Sequence, residues 1–438
     1  MASEPAQDRI TAIDLEPLSD QIDAGQETLD NEPPTSYRVL IKLGSAGLSF
    51  FCAGMNDGSL GALIPYVIRS YSVNTDLVSV VYGAAFAGWL LTAIINTHLC
   101  QHFDLGVMLA MGAALQLIAQ VLRSWQPPFP LFAVTFFLQS FGMALQDTHS
   151  NTFVASVKTA HRWLGFIHAM YALGCCIGPL VATPIASAAH PSRWYLFYTC
   201  LVGVGTINLI LVLVAFRDSL IFKQCPSTVQ QAESRKPTAF TEISNTLRSA
   251  GVWLLSLYFF FYLGTVITAS VADDIGWVVE YLVQVRDANV SDMGYVQVGF
   301  AGGTFLGRAL LAEPTKRLGE RRMIFIYAVL CLGLELLFWL VPNIVAAAVA
   351  IALFGFFSGP FFATGVSLGS QILPKEIRSS GLAFVFMMGQ VGGSIFPAIT
   401  GLIASRAGIK VLQPMVVGLC SATAVIWLLV PRPNLHRD

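Results

Sequence analysis

Twelve long, mainly apolar stretches follow one another along the chain, with limits near 39–68, 76–98, 105–123, 129–156, 163–187, 194–216, 251–285, 293–312, 322–341, 344–371, 379–404 and 410–430. A helix needs about 20 residues to cross the hydrocarbon core of a bilayer. Lipid offers no hydrogen bonds, so each spanning segment must satisfy its own backbone, and a series of such stretches folds as a bundle of helices. Composition agrees. Of 438 residues, 55% are hydrophobic and only 12% charged, against about 25% charged in soluble chains. That leaves too few charges to clothe a water-exposed surface of this size. The expected fold is all-α and polytopic, with twelve transmembrane helices. Net charge is -1 and no basic run suggests nucleic acid.

The one long polar stretch between spans, 217–250, carries Lys223, Pro226, Arg235, Lys236, Pro237 and Arg248. It divides the chain into a bundle at 39–216 and a bundle at 251–431, with residues 217–250 as a linker. Residues 1–38 read as a disordered acidic tail, because the first 37 hold nine Asp or Glu, a single Arg and no apolar core. They also lack the basic-then-apolar order of a secretory signal. Residues 432–438 form a short tail.

Lys and Arg are retained on the cytosolic side. With both ends inside, eighteen of the 25 fall in inner segments. Six fall outside, at Arg69, Arg123, Arg193, Arg286, Arg406 and Lys410, and Arg308 lies within span eight. The expectation is a multi-pass protein with both termini cytosolic, in the plasma membrane or an internal membrane such as that of a vacuole. The halves also repeat. Gly174 and Pro179 match Gly392 and Pro397 at an offset of 218, and Lys158 precedes span five as Lys375 precedes span eleven, at 217. Two duplicated six-helix bundles follow.

An ionised side chain at mid-membrane costs about 2.5–3.5 kcal/mol even on the lenient scale, so each needs a reason. Asp57 lies in Gly54-Met55-Asn56-Asp57-Gly58, where glycines at helical spacing let a backbone or ligand approach. Asn-Asp-Gly is also good turn chemistry. Asp147 and Asn151 share a helical face in span four, with Gln139, Gln146 and Ser150 on a nearby stripe. The stripe faces either a cavity or a hydrogen-bonded neighbouring helix. His168 in span five could share a proton with a carboxylate or be simply satisfied. Asp273, Trp277 and Tyr281 form an i, i+4, i+8 face in span seven, suited to a polyhydroxylated solute or to the membrane interface. Gln390 in span eleven could line the same cavity. Arg308, with Arg317, Arg321 and Arg322 in the following loop, reads as a latch whose charges engage acids and helix ends in one of two states. No metal-ligand spacing, nucleotide loop or nucleophile elbow occurs, so neither an enzyme nor a cofactor is expected. The eight cysteines read as small buried apolar residues.

The twelve-span layout, the long central stretch and the Gly307-Arg308 to Arg317-Leu318-Gly319-Glu320-Arg321-Arg322 segment resemble the major facilitator superfamily. Asn56-Asp57 with Asp147 and Asn151 resembles its fucose permease branch, which includes sugar–proton symporters. The resemblance implies that Asp57 contacts substrate and Asp147 takes the coupling proton, where the branch has Glu. The first-half inner loop departs from the family pattern, reading Asn96-Thr97-His98-Leu99-Cys100-Gln101-His102.

The function expected is secondary active transport, by alternating access, of a small sugar-like or related polar solute. Protons (or sodium) are the coupling ions, Asp147, Asp57 and His168 the coupling groups, and a monomer the working unit. Asn56, Asp57, Asn151, Asp273, Trp277, Tyr281 and Gln390 are the expected solute contacts. The alternatives are export of a hydrophobic metabolite, suggested by Phe259-Phe260-Phe261-Tyr262, and a membrane sensor that binds solute without moving it.

Overall fold

The computed structural model describes residues 37–431 apart from 73–74, 190, 221–238, 270–276 and 288–289. By contacts the chain divides into Met1–Leu40, of which the opening turn of the first helix is described, and Ile41–Asp438. The acidic tail expected at 1–38 therefore lies almost wholly outside the described residues, as does the tail at 432–438.

The first half holds α1 (Tyr37–Tyr71), α2 (Thr75–His102), α3 (Leu105–Arg123), α4 (Phe129–Ala155), α5 (Ala160–Ser187) and α6 (Leu196–Ala215). A short helix, α7 (Ala239–Arg248), closes the linker. The second half holds α8 (Ala250–Ala269), α9 (Trp277–Arg286), α10 (Val290–Leu310), α11 (Ala312–Leu318), α12 (Glu320–Leu340), α13 (Ile344–Ser358), α14 (Phe361–Ile372), α15 (Arg378–Ala407) and α16 (Leu412–Leu429). Eleven described segments are long and apolar enough to cross a membrane. Helix α10 has 21 residues, carries Asp292 and Arg308, and occupies the eighth position. The chain is a multi-pass integral membrane protein with a twelve-helix fold.

Two expected spans are each described in two pieces. Span ten breaks at Gly359-Pro360 into α13 and α14, since proline cannot donate to the preceding turn. Span seven, expected at 251–285, is described as α8 and α9, with residues 270–276 outside the description.

Helices in lipid gain little from hydrophobic burial against each other, so small residues that allow close backbone approach set the contacts. A methyl group on Gly54 would overlap the Tyr171 carbonyl, and one on Gly58 the Cys175 backbone. Gly174 meets the Phe51 carbonyl in return, which seals α1 against α5. The second half repeats this, because Gly392 of α15 lies on the Phe260 carbonyl of α8. Pro179 and Pro397 sit inside α5 and α15. The duplication read from the offsets is thus a duplication of packing.

The halves meet through α5 against α10 and α14, and through α2 against α15. These contacts gather where α4 ends and α5 begins, and where α10 ends and α15 begins. That end, which also carries the linker, is called the linker end below.

Candidate functional site

Two relays of polar side chains meet on α5. The first starts at Asp147 of α4. Its Oδ1 accepts from Asn151 Nδ2 at 3.1 Å, and Asn151 Oδ1 faces His168 Nε2 at 3.0 Å. The amide nitrogen is committed to Asp147, so Asn151 Oδ1 accepts and His168 Nε2 carries the proton. The His168 main-chain oxygen then accepts from Arg308 Nη1 at 2.9 Å, from the other half. The His168 ring also lies 4.6 Å from the Phe362 ring of α14. One unbroken set of contacts thus links a carboxylate in the first half to a guanidinium in the second.

The second relay is built on α1. Asp57 Oδ2 accepts from the Tyr171 hydroxyl at 2.8 Å, and Asp57 Oδ1 from Asn56 Nδ2 at 3.1 Å. Asn56 Oδ1 accepts from Arg123 Nη1 at 2.8 Å. Tyr171 stands one turn beyond His168, and the Arg308 guanidinium carbon lies 5.6 Å from its ring centre. Asp57 and Asp147 are close enough to interact electrostatically. Both are only half-buried, whereas Asn151 is fully buried. The helical reading of Asn56-Asp57-Gly58 holds, for these residues lie inside α1 and not in a turn.

The stripe on α4 splits into two. Gln146 and Gln139 both bond Gln116 of α3, at 2.7 and 3.0 Å, as a buried interhelical cluster. Asp147 and Asn151 turn instead toward α5. The neighbouring-helix reading of the stripe is thus met on two sides, by different residues.

Arg123, counted on the outer side at the end of the span expected at 105–123, is not exposed there. It is the last residue of α3 and is 0% exposed. Besides Asn56 it donates from Nε to Thr135 Oγ1 at 2.7 Å, and its guanidinium carbon lies 3.7 Å from the centre of the Phe136 ring. Thr135 and Phe136 come from the start of α4, folded back beside the end of α3 by the short Ser124–Pro128 connection.

The basic loop contributes differently from what its arginines suggest. The group that crosses between halves there is an acid, Glu313 of α11. It pairs with Arg162 at 2.5 Å and His161 at 3.0 Å on α5, and with Arg317 at 2.7 Å on its own helix. Arg162, His161 and Arg317 hold its carboxyl well below the usual carboxylate range. Arg321 caps the Leu428 carbonyl at the end of α16, inside its own half, and Arg322 is exposed. A further crossing contact, Asn96 Nδ2 to Ser379 Oγ at 3.3 Å, ties α2 to α15.

Of the span-seven face, Asp273 and the Trp277 side chain lie outside the described residues. Tyr281 is buried with its ring 5.7 Å from Phe338 of α12. Gln390 is half-buried on α15. The sequence reading missed Arg123 and Glu313, and did not assign Tyr171 a role.

The arrangement offers two carboxylates at helix interfaces, each hydrogen-bonded toward one helix that itself packs on the other half. Such a set can hold or release a proton and transmit the change to the seam.

Comparison with known proteins bears on the family and the fold. "Bypass of stop codon protein 6" of Saccharomyces cerevisiae is 26% identical over 431 residues, covering 91% of this chain and 85% of that protein. The "Cis,cis-muconate transport protein" of Acinetobacter baylyi is 26% identical over 387 residues, covering 83% and 88%. The "Glucose/mannose transporter GlcP" of Bacillus subtilis is 21% identical over 360 residues, covering 80% and 85%. The crystal structure of the transporter FucP in the outward conformation superposes with a TM-score of 0.71 at 16% identity, covering 90% of this chain and 99% of that one. Residues 46–326 and 254–438 match the Major Facilitator Superfamily, and the chain belongs to that family.

Proposed function

We propose that the protein is a secondary active transporter that moves a small polar organic solute by alternating access, coupled to protons. The observation that carries this is the pair of relays from Asp57 and Asp147 to α5, the helix that packs against α10 and α14 of the other half. A ligand shifts a two-state equilibrium only through different affinity for the two states. Protonating Asp147 changes what Asn151 and His168 can bond to, and so supplies such a difference at the seam. The described contacts close the linker end, so this conformation is one of the two states.

The similar proteins' names span a sugar and a dicarboxylate, and both are small polar solutes. Asp57, Asn56 and Asn151 are the proposed solute contacts. Asp147, with Asp57 and His168, is the proposed proton site, and Arg308 the gating group beneath them. Both termini face the cytosol in this reading, in line with the Lys and Arg bias.

The test is transport by purified protein in proteoliposomes, with labelled glucose, mannose and cis,cis-muconate under an imposed pH gradient. Accumulation should collapse when the gradient is dissipated. Asp147→Asn should abolish accumulation while leaving counterflow intact. Undiminished gradient-driven accumulation in that variant would remove Asp147 from the coupling step. Binding without counterflow would favour the sensor reading.

A further inference from the structure

We propose that Arg123 is the fixed counter-charge of the proton site: through Asn56 it holds Asp57, and thereby sets the pH range over which Asp57 exchanges its proton. Arg123 acts through another group and is a positioning residue. As a deepening of the transport reading, the proposal rests on it for its biological meaning but not for its test.

Three observations carry it. First, Arg123 is 0% exposed and no carboxylate stands within ion-pair distance of it among the described residues. A guanidinium stays charged in proteins, and a buried charge needs compensation. Second, its hydrogen bonds lead to a carboxylate by one intermediary, since Nη1 donates to Asn56 Oδ1 and Asn56 Nδ2 donates to Asp57 Oδ1. The amide is oriented by both neighbours at once, oxygen toward the cation and nitrogen toward the anion. Its dipole therefore favours ionised Asp57. Third, the other groups around the guanidinium are neutral, namely the Thr135 hydroxyl, the Phe136 ring and the Tyr198 phenol, and Asp57 is the carboxylate that acts on it electrostatically among the described residues. A side chain present only to fill space between Phe136 and Tyr198 would not need a charge there.

The other groups around Asp57 do not substitute for Arg123. From α5 the Tyr171 hydroxyl donates to it, and Cys175 lies beside it as a neutral thiol. From α4 Asp147 faces it with like charge. From α10 Arg308 reaches Tyr171 and the His168 carbonyl. Arg308 belongs to the other half, and its contacts are made at the seam. Arg123 belongs to the same half as Asp57 and is buried in it. An opposite charge nearby favours the ionised carboxylate, and a like charge disfavours it. With Arg123 removed, Asp147 becomes the dominant charge within the half, and Asp57 holds its proton to higher pH.

The experiment is an infrared titration of the protonated carboxyl band in purified protein, with no solute present, using Asp57→Asn to assign the band. In Arg123→Met the Asp57 midpoint should move up by about one pH unit or more, a tenfold gain in proton affinity. Arg123→Lys should stay close to the parent protein. Asn56→Leu, which cuts the bridge and removes a direct donor to Asp57, should move the midpoint in the same direction. It also serves if Arg123→Met fails to fold. An unchanged midpoint in folded Arg123→Met, or in folded Asn56→Leu, overturns the proposal and leaves Arg123 a packing residue. A shifted midpoint in protein that transports none of the solutes supports the proposal and counts against the transport reading alone.

Discussion

Replacing Glu313 by Gln should loosen the linker end, and the size of the effect follows from the geometry. Glu313 joins α11 to α5 through Arg162 at 2.5 Å and His161 at 3.0 Å. The Arg162 side chain is 56% exposed and that of Glu313 31%, so water and salt screen the pair. Ion pairs of this kind contribute about 0.2–1 kcal/mol each. The loss in Glu313→Gln should be about 1 kcal/mol, which moves the ratio of closed to open linker end roughly fivefold. Spin labels at Lys158 and Leu318, both exposed and on opposite halves, would report that ratio as a distance distribution. The parent protein should shift the same way in about 1 M salt, where the Debye length falls to about 3 Å, and Glu313→Gln should respond far less. The pH dependence has a definite sign. The Glu313 carboxyl is held well below the usual carboxylate range, so its contribution is fully present above that range and disappears only as pH falls through the lowered value. Between about pH 5 and 8 the acid itself does not titrate. Equal populations in Glu313→Gln and the parent protein at low salt would refute the reasoning. So would a loss of closure in the parent that tracks the ordinary carboxylate range.

Arg308→Met removes the donor to the His168 carbonyl across the seam, and should raise labelling of a cysteine introduced at Ala169 from the linker end, while Arg308→Lys should raise it less. Gly58→Val forces a side chain into the Cys175 backbone, an overpacking that costs about 1–3 kcal/mol, read as a lower unfolding midpoint in detergent. Asn151→Leu cuts the Asp147–His168 relay and should abolish pH-driven accumulation while Gln116→Leu, which disturbs the neighbouring amide cluster, affects thermal stability and not the pH profile of transport.

The number of spans was legible because the bilayer imposes a length that apolar runs either meet or miss. Asp57, Asp147, Asn151 and His168 were legible for a related reason: polar groups at lipid depth are costly, so each points to a partner. Their pairing was not. Nothing in the chain says that Asn151 turns to His168 while Gln146, nearly a turn and a half before it, turns to Gln116. That choice depends on which helix lies on which side, and it is fixed by glycine contacts such as Gly54 and Gly58 on α5. Arg123 was hidden by its position. A basic residue at the end of a span normally reaches the headgroups, and only the Pro127-Pro128 pair just beyond it hinted that the chain turns back at once. Glu313 was obscured by its surroundings, an acid among basic neighbours with its partners about 150 residues earlier and no local signal for them.

His168 and Tyr171 stand one turn apart on a single rigid rod. Each answers to a different acid, and the same rod presses on the opposite bundle. In the proposed transport cycle two chemical inputs would therefore share one mechanical output. A proton at either acid and a solute at Asp57 would be read as a sum by α5, so the machine needs no separate wire for each, only a helix too stiff to bend between them.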